Sequence, residues 1–251
     1  MPFLDESPPL AFAHRGGAAS GLENTAEAFA RAVKIGYRYV ETDVHATADG
    51  VPVVFHDADL LRLTGTAGEL AALRWADLAT LRVGGAGAVP RLDDILAAWP
   101  SIRFNIDVKS GAAVTPVVDT LRAAGAFDRV LVASFSDRRL ASVRALASSS
   151  FLATSLGRRG VARLKVASLT GVPIRLPASV VAAQVPVRHG RLHLVDRRFL
   201  AYAHRLGLQV HVWTIDDPAE MNRLLDLGVD GIMTDRVEVL RDVFLTRGLW
   251  R

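Results

Sequence analysis

Eight times along this chain, a short apolar run of strand-like residues is followed by a stretch with the apolar spacing of a helix. The strand-like runs are 10–15, 38–45 with a follow-on at 51–56, 102–109, 129–135, 151–156, 180–186, 208–215 and 230–234. Helical patterns fall between them at 23–35, 91–99, 113–124, 137–148, 158–168, 197–206, 217–227 and 237–247. Such alternation demands parallel strands, because each helix must return the chain to the side on which the next strand begins. Eight repeats of the unit predict a closed (β/α)8 TIM barrel, one domain over residues 1–251. The length of 251 residues suits that barrel, which typically needs about 250.

Local chemistry marks several boundaries. Glu23-Asn24-Thr25 opens a helix that Gly36 ends, and Asp217-Pro218 opens another that Gly228 ends. Asp49-Gly50 between two β-rich runs signals a tight turn. Residues 58–89 have no place in the strand count and end in Gly84-Gly85-Ala86-Gly87, so they read as a small insertion on the catalytic face.

Composition narrows the chemistry. There is no cysteine, which excludes disulfides and thiolate metal sites. A metal here is held by carboxylate, imidazole, carbonyl or water, a donor set that suits Mg²⁺, Ca²⁺ or Mn²⁺. The start, Met1-Pro2-Phe3-Leu4-Asp5-Glu6-Ser7, lacks the basic and apolar regions of a signal peptide, and no run is long and apolar enough to span a membrane. The expectation is a cytoplasmic protein without stable membrane insertion. A net charge of +4 with scattered pairs (Arg138-Arg139, Arg158-Arg159, Arg197-Arg198) reads as solvated helix ends, not a nucleic-acid footprint. A small anionic substrate is compatible with that balance.

Barrel enzymes carry their reactive groups at the C-terminal ends of strands. Here Leu10-Ala11-Phe12-Ala13 runs into His14-Arg15-Gly16-Gly17, and Val53-Val54-Phe55 delivers His56-Asp57. The period of two puts Glu41, Asp43 and His45 on one face of the second strand, and Asn105, Asp107 and Lys109 on one face of the third. Three carboxylates converging from neighbouring strands must bind a cation, take up protons or pair with basic groups. Glu41, Asp43 and Asp107 are therefore candidate hard-cation ligands, the alternative being buried acids paired with arginines. His14 and His56 are candidates for paired acid–base work because imidazole titrates near neutrality. Arg15 and Lys109 supply fixed positive charge suited to phosphate oxygens. His45 extends the acidic face as a supporting group. Trp213 either walls a ligand pocket or fills the barrel, and His189, His193 and His204 have no companions.

These residues resemble the glycerophosphodiester phosphodiesterase family. The likeness runs through His14-Arg15-Gly16, Glu23-Asn24-Thr25, Glu41-x-Asp43, Asp49-Gly50, His56-Asp57 and Leu60-x-Arg62-x-Thr64. It continues in Asn105-Ile106-Asp107-Val108-Lys109, Trp213-Thr214 and Gly228-Val229-Asp230-Gly231 to Thr234-Asp235. The resemblance implies His14 and His56 as acid–base pair, one divalent cation on Glu41, Asp43 and Asp107, phosphate contacts from Arg15 and Lys109, and Trp213 lining the alcohol side. It implies hydrolysis of glycerophosphodiesters to sn-glycerol 3-phosphate and an alcohol. Asp107 departs from the family, which usually has a glutamate there, one methylene longer.

Rival readings keep the fold and change the substrate, or drop catalysis. A lysophospholipase D or sphingomyelinase D-like enzyme would need an apolar ramp, for which Leu60, Leu61, Leu63, Leu70, Leu73 and Trp75 in the insertion are available. Those residues equally suit a packed cap. A phosphodiester-binding barrel without turnover finds its support in Asp107 alone.

Overall fold

The computed structural model describes residues 2–148 and 152–250. Met1, Arg251 and Phe151, the first residue of the expected strand 151–156, lie outside the described residues. Eight parallel strands form the barrel: β1 (Leu10–Ala13), β2 (Tyr39–Ala46), β3 (Arg103–Val108), β4 (Val130–Ala133), β5 (Ala153–Ser155), β6 (Val180–Pro186), β7 (Gln209–Trp213) and β8 (Gly231–Thr234). Each pairs with its neighbours in sequence, and β8 pairs with β1, which closes the sheet. Eight helices return the chain: α1 (Ala26–Ile35), α2 (Leu92–Ala98), α3 (Val114–Ala123), α4 (Asp137–Ala147), α5 (Arg158–Thr170), α6 (Arg197–Arg205), α7 (Pro218–Leu227) and α8 (Val237–Thr246).

The helix starts follow from side-chain caps that satisfy free backbone N–H groups. Thr25, Ser136, Asp196 and Asp217 each accept a hydrogen bond from the third residue beyond them. Helix α1 therefore begins at Ala26 instead of Glu23, and Asn24 sits before it in a left-handed conformation, φ 58°. That leaves Glu23 and Asn24 free to reach the barrel mouth.

Strand alternation divides the interior into two cores. Outward-facing Val40, Val44, Phe104, Ile106, Val130 and Val132 pack against the helices. Inward-facing Phe12, Tyr39, Leu131, Ala153 and Met233 fill the lower barrel, and Phe3 closes its floor edge-on to Tyr39, 5.5 Å between ring centroids. Gly231 makes room within this layer: a Cβ there would stand 2.8 Å from the His211 ring and 2.9 Å from Phe12. His211 itself is fully buried between Gln184 and Gln209, and burial pushes its imidazole down to about 3, so it is a neutral packing group. With the floor filled by apolar side chains, polar inward residues of β2 and β3 are left for the mouth.

The insertion at 58–89 forms a third core. Short helices at Leu61–Thr64 and Trp75–Leu78 and a hairpin of Arg82–Val83 with Gly87–Ala88 enclose Leu60, Leu63, Leu70, Leu78 and Val83 beneath Phe55. The glycine run at 84–87 makes the turn of that hairpin and its second strand's first residue. Leu73 and Trp75 pack against the same cluster, leaving Leu61 exposed. The insertion is a packed cap, and all its leucines but Leu61 are held in that cluster. Among the described residues no helix is long and apolar enough to cross a membrane.

Candidate active site

Strand β1 ends at Ala13, two residues short of the expected boundary, because the chain turns sharply through His14–Gly16. Arg15 takes a left-handed conformation, φ 51°, and Gly16 follows at φ 80°. A Cβ on Gly16 would come within 2.7 Å of Phe29, so only glycine lets the turn lie against α1. The strained residue is fixed from every side. Arg15 N–H donates to Glu41 Oε2 at 3.1 Å, its carbonyl accepts from Asn24 N–H at 2.9 Å, and its guanidinium donates to Glu23 at 2.8 Å.

The register of β2 with β3 sets Glu41 beside Asn105 and Asp43 beside Asp107. All four are buried. Lys109 reaches between the two aspartates, 2.6 Å from Asp43 and 2.7 Å from Asp107. Asp43 also receives Asn24 Nδ2 at 2.8 Å and stands 3.2 Å from Arg15 Nε. Burial opposes the Asp43 carboxylate, yet Lys109 and Arg15 outweigh it and hold the group below the ordinary range. Glu41 goes the other way: burial and the neighbouring Asp43 charge push it well up. The same two aspartates hold Lys109 above its ordinary value despite its burial.

Among the described residues, no three acid or imidazole side chains stand as a ready-made metal cluster, and the Lys109 ammonium bridges Asp43 and Asp107. The pairing of acids with basic groups is thus present. The donor set still suits a hard cation. Asp107 Oδ1 and Asn105 Oδ1 are buried without a hydrogen-bond partner, an expensive condition that a cation or a substrate hydroxyl would relieve.

Both histidines are held by carboxylates through Nδ1. His14 Nδ1 donates to Asp235 at 2.6 Å, at the end of β8, and its Nε2 lies 3.7 Å from Glu41. Burial disfavours the imidazolium, but Glu41 and Asp235 outweigh it and raise His14 above its ordinary value. Asp235 is itself seated by its N–H on Asp216 at 2.9 Å. His56 Nδ1 donates to Asp57 at 2.5 Å. Arg62 of the insertion clamps Asp57 and Glu23 together, with contacts of 2.6 Å and 2.8 Å. The Arg62 hydrogen bond holds Asp57 down at about 2. His45, kept neutral by burial, donates to the His56 carbonyl at 3.1 Å and so supports that loop.

A chain of charge thus runs from His56 through Asp57, Arg62, Glu23, Arg15, Asp43 and Lys109 to Asp107. The sequence-expected His14, Arg15, Glu41, Asp43, His56, Asp107 and Lys109 come together at this mouth. Trp213 meets Phe135 edge-on at 5.6 Å, with Arg158 over the Phe135 ring at 4.8 Å. Phe135 is exposed at the end of β4, while Trp213 is half-buried and also packs on the inward-facing barrel core.

A sequence profile of the Glycerophosphoryl diester phosphodiesterase family matches residues 14–239, from the first of these histidines to just beyond the carboxylate that holds it. The chain belongs to this family. It is 38% identical to the probable glycerophosphodiester phosphodiesterase 2 of Mycobacterium tuberculosis over 99% of this chain and 95% of that protein. A human lysophospholipase D is 27% identical over 91% of this chain and 84% of its own length. Among solved structures, a candidate glycerophosphoryl diester phosphodiesterase from Silicibacter pomeroyi matches with TM-score 0.80 at 25% identity, over 98% of this chain and 96% of that one. A phosphodiesterase from Oleispira antarctica, solved in complex with its product sn-glycerol-3-phosphate, shares the fold with TM-score 0.78 at 21% identity, over 94% and 97%. As a glycerophosphodiester phosphodiesterase, the chain is a phosphoric diester hydrolase.

Sequence reasoning passed over Asp235, Asp57, Glu23, Asn24 and Arg62 as functional groups. Asp57 and Arg62 carry a signal, an acid beside a histidine with an arginine five residues on. Asp235 lies 221 residues from His14, and only barrel closure brings them together.

Proposed function

We propose that this phosphodiesterase hydrolyses glycerophosphodiesters to sn-glycerol 3-phosphate and a free alcohol by acid–base catalysis through His14 and His56. The observation that carries the reading is the matched pair of imidazoles, each with Nδ1 on a carboxylate. That contact fixes the tautomer and turns Nε2 toward the mouth. One imidazole takes a proton from the nucleophile as its oxygen bonds to phosphorus. The other gives a proton to the alkoxide as the phosphorus–oxygen ester bond breaks. Water or the substrate's own hydroxyl serves as nucleophile within this scheme, the latter through a cyclic phosphate that water then opens.

Arg15 and Lys109 place positive charge beside the phosphoryl oxygens, and Trp213 with Phe135 walls the alcohol side. Glu41, Asp43 and Asp107 would hold one divalent cation, Mg²⁺, Ca²⁺ or Mn²⁺, which supplies Lewis-acid polarisation of the phosphoryl group when bound. The unpartnered Asp107 Oδ1 supports that assignment. Lys109 stands anchored on both aspartates, and its charge holds the Asp43 carboxyl below the ordinary range.

A lysophospholipase D reading draws on the human relative, yet of the insertion's leucines all but Leu61 are spent on its own core. The test is release of glycerol 3-phosphate from glycerophosphocholine, glycerophosphoethanolamine and glycerophosphoglycerol with each cation and with chelator. Cation-dependent release is expected. Folded protein that releases none under any condition, while cleaving lysophosphatidylcholine, would replace this reading with the rival.

A further inference from the structure

The three arginine pairs that look like solvated helix ends stand at helix beginnings. Arg138-Arg139 fall in the first turn of α4, and Arg158-Arg159 and Arg197-Arg198 open α5 and α6. The helix dipole opposes a cation there, so helix stability does not account for them. The first two pairs belong to a larger segregation of charge, and the third lies just beyond its end. From Arg138 to Val195 the chain has ten lysines and arginines and not one aspartate or glutamate. The remainder holds twenty basic against twenty-six acidic residues. A chain of net charge +4 is therefore divided into a segment of +10 and a remainder of −6.

Among the described residues, Lys165 is the one basic side chain of that segment in an ion pair, with Asp196. Elsewhere arginines such as Arg31, Arg103 and Arg247 sit on carboxylates. Among the described residues, the same segment also carries five of the eight exposed large hydrophobic side chains: Leu146, Val166, Leu169, Val172 and Leu192. On α5, Arg159, Arg163, Val166 and Leu169 are all exposed and spaced by three or four, which puts them on one outward stripe. Leu164 and Ala167 are buried on the opposite side. Leu192 lies between Arg191 and His193 on an exposed hairpin, Arg188–His189 with Leu192–His193, that follows β6.

We propose that this face, centred on the outer stripe of α5 with the start of α4 and the hairpin, docks the enzyme on an anionic phospholipid bilayer surface. Arginines beside exposed aliphatic side chains match such an interface: the cations meet headgroup phosphates while the aliphatics enter the acyl boundary. Nucleic acid fits less well, because the accompanying side chains are aliphatic and offer no stacking platform. A symmetric dimer through this face would set two positive surfaces against each other. Helices α4 and α5 begin at the C-terminal ends of β4 and β5, so docking brings that rim of the mouth close to the lipid.

Co-sedimentation of the full chain with vesicles tests the proposal, using phosphatidylcholine alone or mixed with phosphatidylglycerol, at rising salt. Binding is expected only to the anionic vesicles and to weaken as salt screens the charges. The double variant Arg159→Glu with Arg163→Glu should lose more than about tenfold in vesicle affinity. Leu169→Ser should weaken binding independently of salt. Both should keep their release of glycerol 3-phosphate from soluble substrate, which reads the site separately. Equal binding to both vesicles, no binding to either, or undiminished binding by the double variant would overturn the proposal. So would tighter binding to a single-stranded oligonucleotide, or a dimer that Arg163→Glu dissociates.

Discussion

The two histidines are each held through Nδ1 by a carboxylate, from opposite structural circumstances. His14 is largely buried at the seam where β8 closes on β1, and its carboxylate comes from the far end of the chain. His56 is more exposed, its carboxylate is the next residue, and its brace comes from the insertion through Arg62. One site is thus a product of global closure and the other of a local module with its own small core. A group held by the whole barrel resists local loosening, whereas a group held by a module is as ordered as that module. The difference predicts that perturbations on the two sides will separate, although the proposed mechanism assigns both imidazoles to one reaction.

The largest expected effect is common to both sides. His14→Ala and His56→Ala should each lower kcat by about 10²–10⁴ without unfolding the protein, measured by glycerol 3-phosphate release. Loss in only one of them would break the symmetry of role.

Next come the supports. Leu70→Ala removes a fully buried side chain from the insertion core and should destabilise it by about 2–5 kcal/mol. Hydrogen exchange should show opening over 58–89 with β1 and β8 still protected. Exchange that rises equally in the barrel strands would show that the insertion is not a separate module.

Asp235→Asn should cost no more than loss of the imidazole itself, within about 10²–10⁴-fold in kcat, with the structure retained. Asp235 raises His14, so its loss lowers the imidazole and moves the pH limb governed by that ring toward lower pH. A profile that falls uniformly without shifting would mean Asp235 acts only by orientation.

Arg62→Gln should give the smallest change and the clearest pH signature on the other side. Arg62 holds Asp57 at about 2, below the ordinary carboxylate range. Its stabilisation is complete above the unfolded carboxylate value of about 3.9 and is lost as pH falls toward 2. The variant should open at higher pH than the parent in acid titration. An unchanged acid midpoint would remove Arg62 from the brace.

Much of this architecture was legible because it is periodic. Alternation of two along Tyr39–Ala46 and Arg103–Val108 sorts inward acids from outward aliphatics, so Glu41, Asp43 and Asp107 could be read onto one site. The turn at His14–Gly16 was not, because a left-handed arginine is imposed by contacts with Glu41, Asn24 and Glu23 that no local pattern announces. Asp235 was invisible as a partner for the same reason at greater range. Lys109 was correctly expected beside an acid, but its bridging of two aspartates depends on the β2–β3 register. The basic face needed only counting, yet its arginine pairs taken singly resemble ordinary solvated ends, and only the helix starts revealed their cost.

The central claim is that the globally held and the locally held histidine form one catalytic unit. A double-mutant cycle on kcat with His14→Ala, His56→Ala and the combined variant tests it most directly. The double variant is expected to be hardly slower than the worse single one, because either loss already disables the shared transition state. Losses that multiply would contradict it and assign the two histidines to independent tasks.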